Sequence, residues 1–219
     1  MLGVRRQRVM TEEERELQRR WDRGHVAAVM TDLRRLLVDH DGLFDKLVDL
    51  RGIRLPDDVN HPRELWLTHL VDTSIQNIDL SFSHIDLAFA RSRLRNVSFA
   101  QAVLDRVNLN KTILDDCVFR NAKLAVFLDD ARVTRCDFTG ALFRATRSDE
   151  CGGRRTRFVD CQFDSAIFRR VQLRATRFEG CSFHNTQFIG SDLRGTRFDR
   201  GTPEQGQFDA ACVLSTPSN

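Results

Sequence analysis

The sequence predicts an all-β solenoid preceded by a short α-helical region. An apolar residue recurs every five positions over most of the 219-residue chain, and residues four such units apart share a chemical character. The first 67 residues lack this period and instead show helical spacing. We therefore predict three regions: an α-helical module at 1–67, a β-helix at 68–213 and a tail at 214–219.

The composition argues against several other classes of protein. No apolar run approaches the ~20 residues that a transmembrane helix requires, so we expect no membrane insertion. A net charge of +3 is too small to imply nucleic-acid binding by itself, and we expect no direct contact with nucleic acid. The chain contains 16 Phe and no Tyr, as expected for a narrow interior in which a phenolic hydroxyl would lack a partner.

Helical spacing defines the predicted N-terminal module. Thr11 and Glu14 have the spacing of a capping box at the start of a charged segment that ends near Arg23. Two apolar segments follow, separated by Gly42, and a linker is predicted at 56–62. Their apolar positions are Val26, Val29, Met30, Leu33, Leu36, Leu37, Leu43, Phe44, Leu47 and Val48. We expect these helices to cover the open end of the β-helix, with dimerisation through the same face as the alternative.

In the five-residue repeat, each unit has an apolar residue at its centre and a small residue two positions earlier. The central residues of the C-terminal third are Phe158, Phe163, Phe168, Leu173, Phe178, Phe183, Phe188, Leu193 and Phe198. Upstream, the period continues back to Ile75 with two four-residue steps, one from Ile85 to Phe89 and one from Leu124 to Leu128. If four units form one coil, the central residues of every fourth unit should stack.

Stacking at this interval predicts phenylalanine side chains in three of the four core columns, and one of these columns is phenylalanine almost throughout. Counting each four-residue step as one unit aligns Leu80 with six phenylalanines. These predicted core residues are Phe99, Phe119, Phe138, Phe158, Phe178 and Phe198. The second four-residue step directs Phe127 outward, which makes this residue a candidate exposed contact.

Several units resemble the pentapeptide repeat family, whose consensus is Ala-Asp/Asn-Leu/Phe followed by two variable residues. The matching segments include Cys136-Asp137-Phe138-Thr139-Gly140, Ala122-Lys123-Leu124 and Ser191-Asp192-Leu193-Arg194-Gly195. The resemblance covers roughly residues 68 to 213 and implies a right-handed quadrilateral β-helix with four units per coil.

The same resemblance implies a function. Bacterial members of the quinolone- and albicidin-resistance type bind the type II topoisomerase DNA gyrase and protect it from antibiotics or toxins. They act partly as rods with the width and the negative charge of duplex DNA. This chain departs from that pattern in its charge of +3 and in its N-terminal helical module.

No motif of an enzyme is present in the sequence. It contains no Walker loop, GxGxxG, HExxH or GxSxG motif, and its six histidines lack ligand or triad spacing. We therefore predict no catalysis, no cofactor and no metal site, and a role as a scaffold that binds a macromolecule. The partner is predicted to be a protein, either DNA gyrase or another, and a homodimer through the N-terminal helices or a rod end is a further prediction.

Five of the six cysteines occupy the small inward position of a repeat unit. They are Cys117, Cys136, Cys151, Cys161 and Cys181. Their spacings are multiples of the repeat rather than CxxC spacings, so we interpret them as buried thiols and not as disulfides or metal ligands. Reduced thiols in turn predict a cytoplasmic protein.

Arginines in the C-terminal third form two predicted columns on the outer surface. The columns contain Arg157, Arg177 and Arg197, and Arg154, Arg174 and Arg194. One interpretation is local pairing, with Glu179 beside Arg177 and Asp199 beside Arg197. The other is a basic ridge that binds an acidic protein surface or a phosphate backbone. Residues 146–155 interrupt the apolar centres while keeping the frame, which predicts a surface loop, either functional or simply tolerated.

Overall fold

A computed structural model describes residues 11–21, 48–55, 70–145 and 151–214. The helices predicted between residues 26 and 47, the linker at 56–62 and the first half of the loop predicted at 146–155 lie outside these ranges. The described part contains the α-helix α1 at Glu12–Arg19, fifteen strands and a short 3-10 helix at Gln205–Gln207.

The strands form two parallel sheets on opposite sides of the molecule. The eight-stranded sheet comprises β1 (Val48–Asp49), β3 (Ser74–Asp79), β5 (Arg93–Ser98), β7 (Ile113–Asp115), β9 (Arg132–Thr134), β11 (Arg157–Val159), β13 (Arg177–Glu179) and β15 (Arg197–Asp199). The seven-stranded sheet comprises β2 (Arg54–Leu55), β4 (His84–Ile85), β6 (Val103–Asn108), β8 (Lys123–Phe127), β10 (Leu142–Arg144), β12 (Ile167–Arg169) and β14 (Gln187–Ile189).

The chain enters the two sheets in turn, so each coil contributes one strand to each. Isolated parallel bridges join the other two sides, such as Val118 to Asp137 on one and Gln172 to Asp192 on the other. Central side chains and those two positions earlier point inward; Phe119 and Cys117, for example, are each 1% exposed. The predicted four-sided β-helix is therefore confirmed.

Corners of the coil use a left-handed backbone conformation two residues after the centre. Asn96 and Asn121 have φ angles of 51° and 56° at this position, and Gly140 has 67°. An ideal Cβ atom at Gly140 would also lie 2.3 Å from Oδ1 of Asn121 in the adjacent coil. Asn, Asp and Gly tolerate this conformation best, which explains their recurrence at the variable positions of the repeat.

One coil is five residues longer than its neighbours, and this corrects the predicted columns. Arg132 pairs with Arg157, an offset of 25 residues, whereas neighbouring strands before and after this coil are offset by 19 or 20. The described strands on either side of the interval 146–150 therefore pair across a coil that is one five-residue unit longer than its neighbours. The predicted stacking of Phe138 on Phe158 is wrong: their rings meet edge to face at 6.1 Å, while Phe138 stacks on Phe163 at 5.0 Å.

Three stacks of phenylalanine rings are present, in a register that differs from the predicted one. The stacks are Phe99–Phe119–Phe138–Phe163–Phe183, Phe143–Phe168–Phe188–Phe208 and Phe158–Phe178–Phe198. Ring centroids within them are 4.5 to 5.5 Å apart. The six predicted core phenylalanines are thus divided between two stacks. All are buried except Phe198, which is partly buried on the last strand.

Among the described residues, the β-helix already includes Val48, upstream of the predicted boundary at residue 68. Strand β1 pairs with the end of β3, and β2 pairs with β4. Leu50 and Ile53 point inward and are 4% and 0% exposed. The prediction that Val48 belongs to a helix is wrong, because residues 48–52 form a repeat unit of their own.

Helix α1 contacts this first coil. Leu17 is buried against Gly52, where an added Cβ atom would lie 2.8 Å from Cβ of Leu17. The indole Nε1 of Trp21 donates a hydrogen bond to the Arg51 carbonyl oxygen at 2.7 Å. A small helical cap therefore lies on the N-terminal end, although α1 ends at Arg19 rather than near Arg23 as predicted.

The first coils also enclose a small apolar cavity of about 30 Å³. Its lining is aliphatic except for two phenylalanines and includes Leu70, Ile75, Leu80, Leu94 and Phe99. The aliphatic side chains of these coils thus fill the interior less completely than the stacked rings further along.

Candidate functional site

An arginine column lies on the outer face of the eight-stranded sheet. Arg157, Arg177 and Arg197 occupy equivalent positions on β11, β13 and β15. Because β9 pairs with β11, Arg132 also belongs to this column and gives it four consecutive rungs. The predicted register assigned four repeat units to this coil and therefore placed Arg132 and Arg157 on different sides of it.

Pairing within this column is uneven. Nη2 of Arg157 lies 2.7 Å from Oε2 of Glu179, and this hydrogen bond lowers the pKa of the Glu179 carboxyl group. Glu179 therefore pairs with Arg157 and not with Arg177 as expected from their spacing. Among the described residues, the exposed side chains of Arg132, Arg177 and Arg197 have no ion-pair partner.

The other predicted column, on the adjacent side of the coil, is partly neutralised. Asp192 is 7% exposed, and its Oδ2 atom lies 2.7 Å from Arg194 and 2.5 Å from Arg174. The hydrogen bonds from Arg194 and Arg174 hold the pKa of Asp192 well below its usual value. In the preceding rung, the backbone N–H of Arg154 donates to Oδ1 of Asp129 at 2.9 Å. The six arginines therefore do not form one uniform ridge.

Phe127 lies at the end of β8 and is half-buried. Strand β8 lacks a counterpart to Arg106, which forms the corner of the preceding coil with a φ of 56°. The four-residue step thus removes a corner and leaves a continuous strand. The large apolar side chains that are exposed within the described ranges are Val213 and Leu214, at 46% and 54%.

The longer coil also brings four cysteines into one column. Cys117, Cys136, Cys161 and Cys181 occupy successive rungs, whereas the predicted register gave two separate pairs. The thiol of Cys161 donates to the Val133 carbonyl oxygen, and that of Cys181 donates to Phe158. All are free thiols, and burial raises the pKa of Cys136. Within the described ranges, no cluster of three His, Cys, Asp or Glu side chains could hold a metal ion.

The outer face of the seven-stranded sheet carries a second basic surface, which the sequence analysis missed. Its cations are Lys123, Arg144, Arg169 and Arg170, and its apolar residues are Leu142, Ile167 and Ile189. The available signal was an apolar residue at an outward position directly before the central Phe, as in Leu142-Phe143 and Ile167-Phe168.

Comparisons with known proteins give a family for the chain. A profile of the pentapeptide repeat region matches residues 131–208, and a profile of eight pentapeptide repeats matches residues 81–121; together they cover more than half of the chain. No curated protein matches the sequence. Within the described ranges, no helix has the length and apolar character needed to cross a membrane.

Similar solved structures include a trypsin-treated form of QnrB1, a plasmid-mediated fluoroquinolone resistance protein, at 15% identity and a TM-score of 0.40. That alignment covers 78% of this chain and 91% of that chain. HetL, involved in heterocyst differentiation regulation in the cyanobacterium Nostoc sp., has 12% identity, a TM-score of 0.41 and coverage of 77% and 88%. The five-residue repeat, the four-sided coil and the two profile matches together show that this chain belongs to the pentapeptide repeat family.

Proposed function

We propose that this protein is a non-catalytic scaffold that binds another protein through the sides of its β-helix. The observation that carries this proposal is the distribution of side chains. Two of every five residues fill the interior, so the outward positions, with their arginines and carboxylates, carry the chemistry available to a ligand. A rigid surface whose side chains repeat at the inter-strand spacing of ~4.8 Å suits recognition of a macromolecule.

DNA gyrase is the specific partner that we propose to test first, with protection from an inhibitor or toxin as the outcome. The motivation is the resemblance to the quinolone- and albicidin-resistance members of the family. The basic faces described above are unsuited to imitating duplex DNA, so contact with gyrase would use a different charge pattern. The free thiols of the cysteine column suit a reducing compartment, and a cytoplasmic location belongs to the same proposal.

The test is binding of the full-length chain to purified gyrase subunits, followed by a supercoiling assay with a fluoroquinolone. We expect a saturable complex and retention of supercoiling at drug concentrations that otherwise stop it. An excess of an unrelated protein of similar size and charge serves as the control. No binding to either subunit would remove gyrase as the partner and leave the scaffold proposal with another protein.

A second proposal concerns the C-terminal end of the rod, where a homodimer could form. Val213 and Leu214 are exposed there, and β15 has no neighbour on its outer side among the described residues. An unpaired edge beside exposed apolar side chains favours self-association. Sedimentation equilibrium of wild type and V213D/L214D tests this, and a concentration-independent monomer in the wild type would contradict it.

A further inference from the structure

The seven-stranded sheet presents an outer surface that differs from every other side of the β-helix. We define it by the outward residues of β8, β10, β12 and β14 and refer to it as the mixed face. Leu142 and Ile167 are register partners on adjacent strands, and Lys123 precedes Leu142 in the same row. In the neighbouring row, Arg144 and Arg169 are register partners on β10 and β12, and Ile189 is the partner of Arg169 on β14. An apolar pair and a cationic pair thus lie side by side in neighbouring rows of the same rungs.

The charge of the mixed face has no internal compensation in the described part of the chain. Lys123, Arg144, Arg169 and Arg170 are all exposed, and none has an ion-pair or side-chain hydrogen-bond partner there. The outward positions of these four rungs contain no carboxylate. Carboxylates return in the bordering rungs, at Asp105 on one side and Asp209 on the other.

The eight-stranded sheet behaves differently, although it also carries arginines. Its outward positions include Asp115, Asp160, Glu179 and Asp199 among the basic residues. Arg135 pairs there with Asp115 at 2.5 Å. The mixed face is therefore a concentrated basic surface rather than one example of a general pattern.

Its apolar residues indicate what kind of anion fits. Leu142, Ile167 and Ile189 are half-buried at positions that are polar or charged in most other units. A phosphate backbone could neutralise the arginines, but it would leave these aliphatic groups against polar atoms. Phe143, Phe168 and Phe188 point inward, and the remaining ring of these strands, Phe127, lies at the far end of β8, where it pairs with Gly152 on the adjacent side of the coil, so no base could stack beside the arginines.

We propose that the mixed face is the docking site for an acidic polypeptide segment that also carries apolar side chains. This inference rests on the proposed function and names the surface and partner chemistry that it leaves open. Four rungs span about 14 Å, the length of a helix of about nine or ten residues. A short amphipathic helix with carboxylates flanking an apolar stripe would place both kinds of side chain against their complements.

Direct binding of a labelled probe tests the inference. The probe is a short fluorescein-labelled peptide with Leu and Glu at helical spacing, measured by anisotropy against the full chain. R144E/R169E should weaken binding at least about tenfold, because it places carboxylates opposite those of the peptide. The matched control R93E/R95E makes the same charge change on β5 of the opposite sheet, outside the four rungs of the arginine column, and should alter the affinity by less than about twofold.

Further variants separate this recognition from general charge attraction. L142T/I167T keeps strand-forming side chains and should also weaken binding several-fold. A probe with Gln in place of Glu should bind neither the wild type nor the variants. Should R144E/R169E unfold, as judged by its melting curve, the neutral R144Q/R169Q provides the same comparison. Equal effects of the two charge reversals would overturn the proposal.

Two further outcomes would contradict the proposed occupant of the mixed face. Tighter binding of a single-stranded oligonucleotide than of the peptide, lost in R144E/R169E, would show that nucleic acid is the occupant and overturn the polypeptide proposal. Failure of the peptide to bind wild type would overturn it as well. Neither result decides the scaffold function, because gyrase binding is measured separately; gyrase that binds R144E/R169E normally would retain that function and exclude this face from it.

Discussion

The two halves of the β-helix share one backbone plan but differ in what fills it. In the first coils the inward positions hold Ile75, Leu80 and Leu94, and a cavity of about 30 Å³ remains between them. Beyond Phe138, three stacks of rings occupy three sides, and rings of adjacent stacks meet edge to face, as Phe163 and Phe178 do at 5.5 Å. Flat rings can repeat at the spacing of the rungs, whereas branched aliphatic side chains leave gaps between layers. The coil geometry therefore depends on the backbone, and its rigidity depends on the rings.

The largest effect should come from deleting a unit within a coil. Removal of residues 161–165 would shift every later column by one side of the coil and disrupt the ring stacks, so we expect loss of cooperative unfolding. Removal of residues 146–150 should leave the pairing of Arg132 with the arginine of the next rung intact, because it shortens their 25-residue offset to the 20 residues found between β11 and β13. Thermal unfolding followed by circular dichroism measures both deletions. Comparable damage from the two would contradict the 25-residue coil.

Truncation of a core side chain should cost more in the C-terminal half. Phe163 is 0% exposed and contacts rings in all three stacks, so Phe163→Ala should lower the free energy of unfolding by about 3–5 kcal/mol. Leu94→Ala, beside the existing cavity, should cost about 2–3 kcal/mol because the looser surroundings can relax. Chemical denaturation gives both values, and a larger loss for Leu94→Ala would reverse the proposed order of packing quality.

Surface charge pairs extend the comparison to acid stability. Asp192 is nearly buried between Arg174 and Arg194, whereas the Arg91–Asp72 pair of the first coils is more than half exposed. The lowered pKa of Asp192 stabilises the fold above the unfolded-state value of about 3.9, and this contribution disappears as the pH falls through the folded-state value.

Asp192→Asn should therefore reduce stability at pH 7 by about 1–2 kcal/mol, and the difference from wild type should shrink below about pH 4. Asp72→Asn should leave the stability close to that of wild type at either pH, because solvent screens this exposed pair. Melting curves from pH 2 to pH 8 provide the measurement. A loss for Asp192→Asn that is independent of pH would mean that packing rather than charge is responsible.

The smallest effect should come from improving the first coils. Leu80 lies beneath Phe99 in the rung order and lines the cavity, so Leu80→Phe would extend the first ring stack by one member. We expect a stabilisation of up to about 1 kcal/mol, since a ring occupies more of the empty volume. The matched substitution Leu173→Phe, at a buried position outside the lining of that cavity, should destabilise by overpacking. Stabilisation by both would show that the halves do not differ in packing.

The four-sided coil was predictable from the resemblance to the pentapeptide repeat family together with the shared character of residues four units apart. The sequence could not reveal the long coil, since the additional unit is itself five residues long and preserves the frame. The one sign of the long coil in the sequence is Ser148, which stands where other units have an apolar centre. Gly153 lacks an apolar side chain in the same way but belongs to a rung, so this sign was ambiguous. The early start was readable in Val48-Asp49-Leu50-Arg51-Gly52, but helical spacing of the preceding apolar residues obscured it.

The candidate surfaces were less predictable than the core, because they depend on which side chains become neighbours across coils. The pairing of Glu179 with Arg157 joins residues one coil apart, and a five-residue error in register changes every such neighbour. Arg132 and the mixed face were missed for this reason. The prediction of which residues are buried is less sensitive to this error, because all four inward columns are apolar.

The column of free thiols allows the unfolding of the β-helix to be followed by chemical labelling. Cys117, Cys136, Cys161 and Cys181 are buried at successive heights, while Cys212 near the C-terminal end is partly exposed. A thiol-modifying reagent would therefore label Cys212 first and reach each of the others only when its own rung separates. The order in which the four become labelled would distinguish fraying from one end from unfolding of the whole stack in a single step.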